Sequence, residues 1–165
     1  MRSIVTLLIL ISTLLDCSDL YAASKTERSS LIGLPGVSVV IDNVALDMKA
    51  QGLSQEGIRT AVEQVLRSSG IRILTDEESL EVPSSPSLHV IVASLKNPTL
   101  PQYSYCLTVE LKQYVSLSTT KNLVATTWST GYLGFVGTNR LSEITRHSEE
   151  LVQQFANDFL AVHPR

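Results

Sequence analysis

Few residues in this chain have the types and spacing for chemistry. There are three histidines, His89, His147 and His163, two cysteines, Cys17 and Cys106, and one dense acidic run, Asp76 to Glu81. The histidines stand too far apart to form the i, i+4 pair by which one helix presents two imidazoles to a metal ion. Cys106 has no histidine beside it to accept its proton, and a lone thiol reads as an inert small residue rather than a nucleophile. The run DEESLE offers oxygen ligands of the kind calcium takes. It lacks the spaced Asp/Asn ligands and the turn glycine of an EF-hand loop, so it reads as a solvated turn or a single helical turn. No G-x-S-x-G nucleophile elbow occurs. His89 reads as a satisfied core or rim histidine, and Asp42 as a turn or edge carboxylate with no partner in view. No enzyme activity, cofactor or metal is expected.

The least ordinary composition is GYLGFVG, where Gly131, Gly134 and Gly137 alternate with Tyr132, Leu133, Phe135 and Val136. Glycines ahead of a helix start suit anion binding in principle. Here there is no G-x-G-x-x-G and no G-K-[ST], and the intervening residues are bulky and apolar. Two readings remain. In one, this is a connection whose aromatics cap the core while its glycines permit the turn. In the other, it is an exposed apolar loop that touches a partner or a lipid. The candidate partner-contact loop is therefore Gly131, Tyr132, Gly134, Phe135 and Gly137.

The elements that position these residues are legible from periodicity. Tyr103 to Leu117 alternates apolar and polar side chains over its whole length, which predicts a long strand with one face on a core and the other toward water, in an antiparallel setting. Ser54 starts a helix whose stripe is Ile58, Ala61, Val62, Val65 and Leu66, and Gly70 ends it. Strands are predicted at Val37 to Leu46, at Ile71 to Leu74, at Leu88 to Leu95 and at Leu123 to Gly131. In the last of these Trp128 shares a pleat with Val124, Thr126 and Thr130. Lys121-Asn122 marks a turn. A final helix, capped by Thr138 or Asn139, carries Leu141, Ile144, Leu151, Val152, Phe155, Phe159 and Val162 on one face, with a dip at Ser148, and Pro164 stops it.

The N-terminus bounds the setting. Arg2 and the uncharged run Ile4 to Leu15 have the form of a signal-peptide core, too short for a transmembrane helix of about 20 residues. Ala22, Ala23 and Ser24 offer the cleavage region. Residues 1–23 are thus expected as a signal peptide, 24–35 as a flexible lead-in segment and 36–163 as one domain, with no transmembrane helix in the mature chain. Leu14 stands three before Cys17 as in a lipoprotein box, but Asp16 occupies the place of a small residue, so a lipid anchor at Cys17 is not expected. One remaining thiol excludes a disulfide framework. A formal net charge of −3 with no basic cluster argues against nucleic acid and anionic membrane.

The order β-α-β, a three-strand meander and a long helix predicts an α+β two-layer sandwich: a mixed, mostly antiparallel sheet with two helices on one face. The helix Ile58 to Leu66 with Gly70 to Leu74, then Leu88 to Leu95, Tyr103 to Leu117 and the Trp128 strand, resembles the layout of small bacterial envelope modules. These are the LPS-assembly lipoprotein family (LptE-like) and the N-terminal module of TolB. That resemblance implies a periplasmic or outer-membrane-associated, non-enzymatic interaction or accessory module with an envelope protein as partner, and it assigns no residue a role. The alternative is a binder of a small apolar or lipid-like ligand between sheet and helices.

Overall fold

The computed structural model describes residues 23–119 and 123–164. The expected signal peptide up to residue 22, with Cys17, and the Lys121-Asn122 turn lie outside the described residues. Within them are five helices, α1 (Lys25–Ser29), α2 (Leu46–Ala50), α3 (Gln55–Ser68), α4 (Asp76–Glu81) and α5 (Ser142–Val162). Four strands, β1 (Ser38–Ile41), β2 (Ser87–Lys96), β3 (Gln102–Val115) and β4 (Leu123–Gly137), form one sheet in the order β1-β2-β3-β4. β1 and β2 are parallel and the other neighbours antiparallel, which makes the α+β sandwich that the sequence predicts.

The alternation of β3 sets the layers. Tyr103, Tyr105, Leu107, Val109 and Leu111 are buried on one face, beside Leu88, Val90 and Val92 of β2. α3 adds Ile58, Val62 and Leu66, and α5 adds Ile144, Leu151, Val152, Phe155 and Phe159, so both long helices cover that same face. Ser54 Oγ accepts the Gly57 N–H at 3.2 Å, which caps α3 at its start. At its end Gly70, at φ +77°, lets the Ile71 N–H reach Leu66 O at 2.9 Å and the Gly70 N–H reach Arg67 O at 3.0 Å. These two bonds close the left-handed cap that the glycine signalled. Ser148, at the expected dip in the α5 stripe, is fully buried and returns its hydroxyl to Ile144 O at 2.8 Å, so the stripe continues through it.

Three expectations are corrected. Residues 24–35 are not a loose lead-in: Ser24 and Glu27 form a reciprocal capping box on α1, and Leu31 is fully buried in the common core. Ile71 to Leu74 is not a strand of the sheet. It touches β1 only through the bridge of Val37 with Ile73, so the expected five strands become four. GYLGFVG is not a loop at all, because β4 runs on through Gly137.

One irregularity decides which way β4 faces. Leu111 stands opposite Trp128, but Lys112 stands opposite Thr126, which leaves Thr127 as an extra residue. The bulge inverts the alternation that the sequence suggested. Trp128 turns into the core, while Val124 and Thr126 point to the uncovered face. Thr127 is held in place by its hydroxyl, which donates to Gln113 Oε1 at 2.5 Å. Trp128 meets Phe155 edge-on at 5.1 Å and donates from Nε1 to Asp158 Oδ2 at 3.0 Å, which fixes α5 across the sheet.

Candidate functional site

The second half of β4, from Thr130 to Gly137, has two faces and one free edge, and each has its own chemistry. On the helix-covered face Tyr132 lies against His147 of α5, with ring centroids 4.4 Å apart, and against Tyr105 at 5.8 Å. Tyr105 Oη is 2.5 Å from His147 Nδ1, and Arg146 Nη2 is 2.8 Å from His147 Nε2. A guanidinium can only donate, so Nε2 accepts. Nδ1 and the phenol oxygen then share one hydrogen bond on the other side of the ring. Burial first, and then the nearby Tyr132 phenol and the Glu143 carboxylate, push the Tyr105 pKa up to about 12. Beside this cluster a groove of about 170 Å³ is lined by Gly131, Tyr132, His147, Glu150, Leu151 and Gln154. The three rings act as a clamp joining β3, β4 and α5, and Thr130 Oγ1 adds a bond to Gln154 Oε1 at 2.9 Å.

The glycine between these aromatics has a steric reason. A Cβ on Gly134 would lie 2.6 Å from Tyr132 Cε1, so the ring of Tyr132 lies over the glycine two residues on along its own strand. Gly134 is there to be covered, and it permits no turn.

Among the described residues no helix packs on the opposite face. Leu95 of β2, Leu133 and Phe135 of β4 are 74%, 78% and 72% exposed, and Leu100 adds to them from the β2–β3 turn. Register places Ser104 between Leu95 and Phe135, and Cys106 between Ala93 and Leu133. A hollow of about 290 Å³ runs over this corner, lined by Ala93, Ser94, Leu95, Ser104, Cys106 and Leu133 with the backbone side of Tyr105. Three bulky apolar side chains on one open sheet corner are a patch rather than scattered exposure. Cys106 is exposed within it, on the polar face that alternation predicted.

The free edge is the third feature. Thr127 O accepts from Ser30 Oγ at 3.2 Å. The Glu27 carboxyl is held below its ordinary pKa by the N–H and hydroxyl of Ser24 and, in addition, by the Ser129 N–H. α1 therefore covers the outer edge of β4 at residues 127 and 129. The outward-pointing groups continue at every second residue, at Gly131, Leu133 and Phe135, and there no partner is present among the described residues.

Of the sequence-derived candidates, the structure brings Tyr132 to the clamp and Phe135 to the open patch, on opposite faces of one strand. Leu133, Leu95 and the Tyr105–His147 pair belong with them and were not singled out. His89, expected to stand alone on its strand, has Asp42 Oδ1 3.3 Å from its Nδ1, which also gives Asp42 the partner it lacked. His163 Nδ1 donates to Phe159 O at 2.9 Å. Between sheet and helices, where the alternative reading expects an apolar ligand, Trp128, Tyr103, Phe155 and Leu107 are buried in the common core. No protein-family model matches this chain, and no match is found among curated proteins or among solved structures.

Proposed function

We propose that this chain is an exported, non-enzymatic interaction module of a bacterial envelope, and that it engages an envelope protein through the open corner of its sheet. The observation that carries the reading is the exposed Leu95, Leu133 and Phe135 corner, on the sheet face away from the helices. Apolar side chains in such a cluster gain about 25 cal/mol for each Å² that a partner covers, and they contribute little to the fold while uncovered. The apolar run Ile4 to Leu15 and the layout resembling small envelope modules support an envelope location.

The test is cross-linking in cells followed by recovery of the protein, with Leu133→Ser/Phe135→Ser beside the wild type. The reading expects an envelope protein that is enriched with the wild type and reduced with the variant. Recovery of no envelope protein above background, or equal recovery with both, would defeat it.

A further inference from the structure

The two edges of the sheet are treated in opposite ways. On β1 every second residue points outward, and each outward carbonyl has a partner. Val37 O accepts from the Leu74 N–H at 2.9 Å, Val39 O from Arg59 Nη1 at 2.8 Å, and Ile41 O from Gln55 Nε2 at 3.3 Å. Among the described residues the β4 edge is covered only as far as Ser129. Beyond it the strand is Thr130 to Gly137, without a proline, a charge or a bulge. Charges, prolines and bulges are the devices by which edge strands are kept from pairing, and this half of β4 has none of them.

From this edge we propose that a second copy of the chain pairs with it, β4 antiparallel to β4, about a two-fold axis at Gly134. The register follows from the strand itself. With Gly134 opposite its own copy, Leu133 stands opposite Phe135 of the second copy, and Gly131 opposite Gly137. The outward-pointing Leu133 and Phe135 then fall opposite each other, as hydrogen-bonded pairs require. Each two-fold contact contains two Leu–Phe cross-strand pairs on the open face, and an aromatic opposite an aliphatic side chain is a favourable pair.

Charge does not oppose a copy: Thr130 to Gly137 carries none, so no like charges meet across the two-fold pairing. α1 also fixes the length of the pairing, because a strand arriving at residue 129 meets Ser30 and Glu27. A seven-residue pairing lies near the small end of specific interfaces, about 1,000 Å² in total, so the dissociation constant is expected in the range of about 1–100 µM.

This pairing uses the edge, whereas the proposed envelope contact uses the face, so the two can fail separately. The full chain, purified as the expressing host produces it, is followed by sedimentation velocity from about 1 to 300 µM, a span set by that range. The wild type should pass from monomer to dimer. Leu133→Lys should weaken dimerisation about tenfold or more, since two cross-strand pairs are lost at once. Leu133→Lys/Phe135→Glu sets the introduced lysine of each copy opposite the introduced glutamate of the other and should recover most of that loss. Leu133→Lys/Phe135→Lys should not.

A wild type that stays monomeric throughout overturns the proposal. So does Leu133→Lys dimerising as the wild type does, or a charge-paired variant no better than the single one. If the wild type is monomeric alone yet cross-links to an envelope protein in cells, self-pairing fails and the functional reading stands.

Discussion

Tyr132 and Phe135 are three residues apart, and truncating them should give different costs. Tyr132 is 41% exposed, so about three-fifths of a ring-bearing side chain of roughly 200 Å² is out of water. At about 25 cal/mol per Å² that is near 3 kcal/mol as an upper bound. Allowing for the Cβ that alanine retains and for a compact unfolded chain, Tyr132→Ala should cost about 2 kcal/mol. Lost contact with the His147 and Tyr105 rings adds to it. Phe135 is 72% exposed, and the same reasoning gives Phe135→Ala no more than about 1 kcal/mol. In a domain of this size each kcal/mol moves the melting temperature by roughly 2–4 °C. The expectation is therefore a fall of about 4–8 °C for Tyr132→Ala and of under about 4 °C for Phe135→Ala, tracked by circular dichroism at equal low protein concentration. Urea titration supplies the free energies, with unchanged m-values. Equal losses, or the larger loss at Phe135, would refute the assignment of these rings to opposite faces.

Other outcomes test separate parts of the structure. Tyr105→Phe removes the hydrogen bond between its hydroxyl and His147 Nδ1 and should cost about 1–3 kcal/mol. The Tyr105 pKa is raised to about 12, so the folded state keeps a phenol proton that the unfolded state releases from about pH 10. The contribution of this group is then intact below about pH 10 and is lost as pH rises toward 12. Tyr105→Phe should flatten that slope, as read by urea midpoints across the range. Gly36→Ala would place a Cβ 2.2 Å from Arg72 O and part the Val37–Ile73 bridge, and it should cost more than about 2 kcal/mol. Gly57→Ala, whose Cβ meets only Ser54 at 3.6 Å inside α3, should be neutral or stabilise by up to about 1 kcal/mol. N-terminal sequencing with an intact mass should find the mature protein starting near Ser24 without lipid; a start at Cys17 with lipid mass would overturn the expected export route.

What was legible in the sequence is what simple periods encode. The period-two pattern of β3 and the Ile58, Val62, Leu66 stripe of α3 each specify a buried face without reference to the rest of the chain, and together they imply the two-layer sandwich. The candidate site was half legible. GYLGFVG stood out by composition, but three glycines read as turn markers when the strand in fact runs through them. Gly134 is small because Tyr132 covers it, and that is a contact between two side-chain positions that composition does not record. Leu133 and Phe135 join Leu95 only through the β2–β3–β4 register, which spans forty residues of sequence from Leu95 to Phe135. The bulge at Thr127 inverts the face of Trp128, and nothing in LVATTWSTG marks it. α1 does have a local signal: Ser24 and Glu27 stand at the spacing of a capping box, masked by the shortness and polarity of the segment around them.

The sealing of β1 sets a limit on how far any strand addition can proceed. Arg59, Gln55 and Leu74 already occupy the outward carbonyls there, so among the described residues the proposed pairing has the β4 edge open to it and not β1. A molecule with two open edges can be both template and substrate, and its sheet can lengthen indefinitely into a fibre. With one edge, the first strand to pair with β4 also ends the growth. If two copies join about Gly134 as proposed, their outer margins are β1 strands whose outward carbonyls are already bonded. In such a pair the residues that fasten α3 to β1 would also limit the copy number, and loosening Arg59 or Gln55 would favour a second growing end.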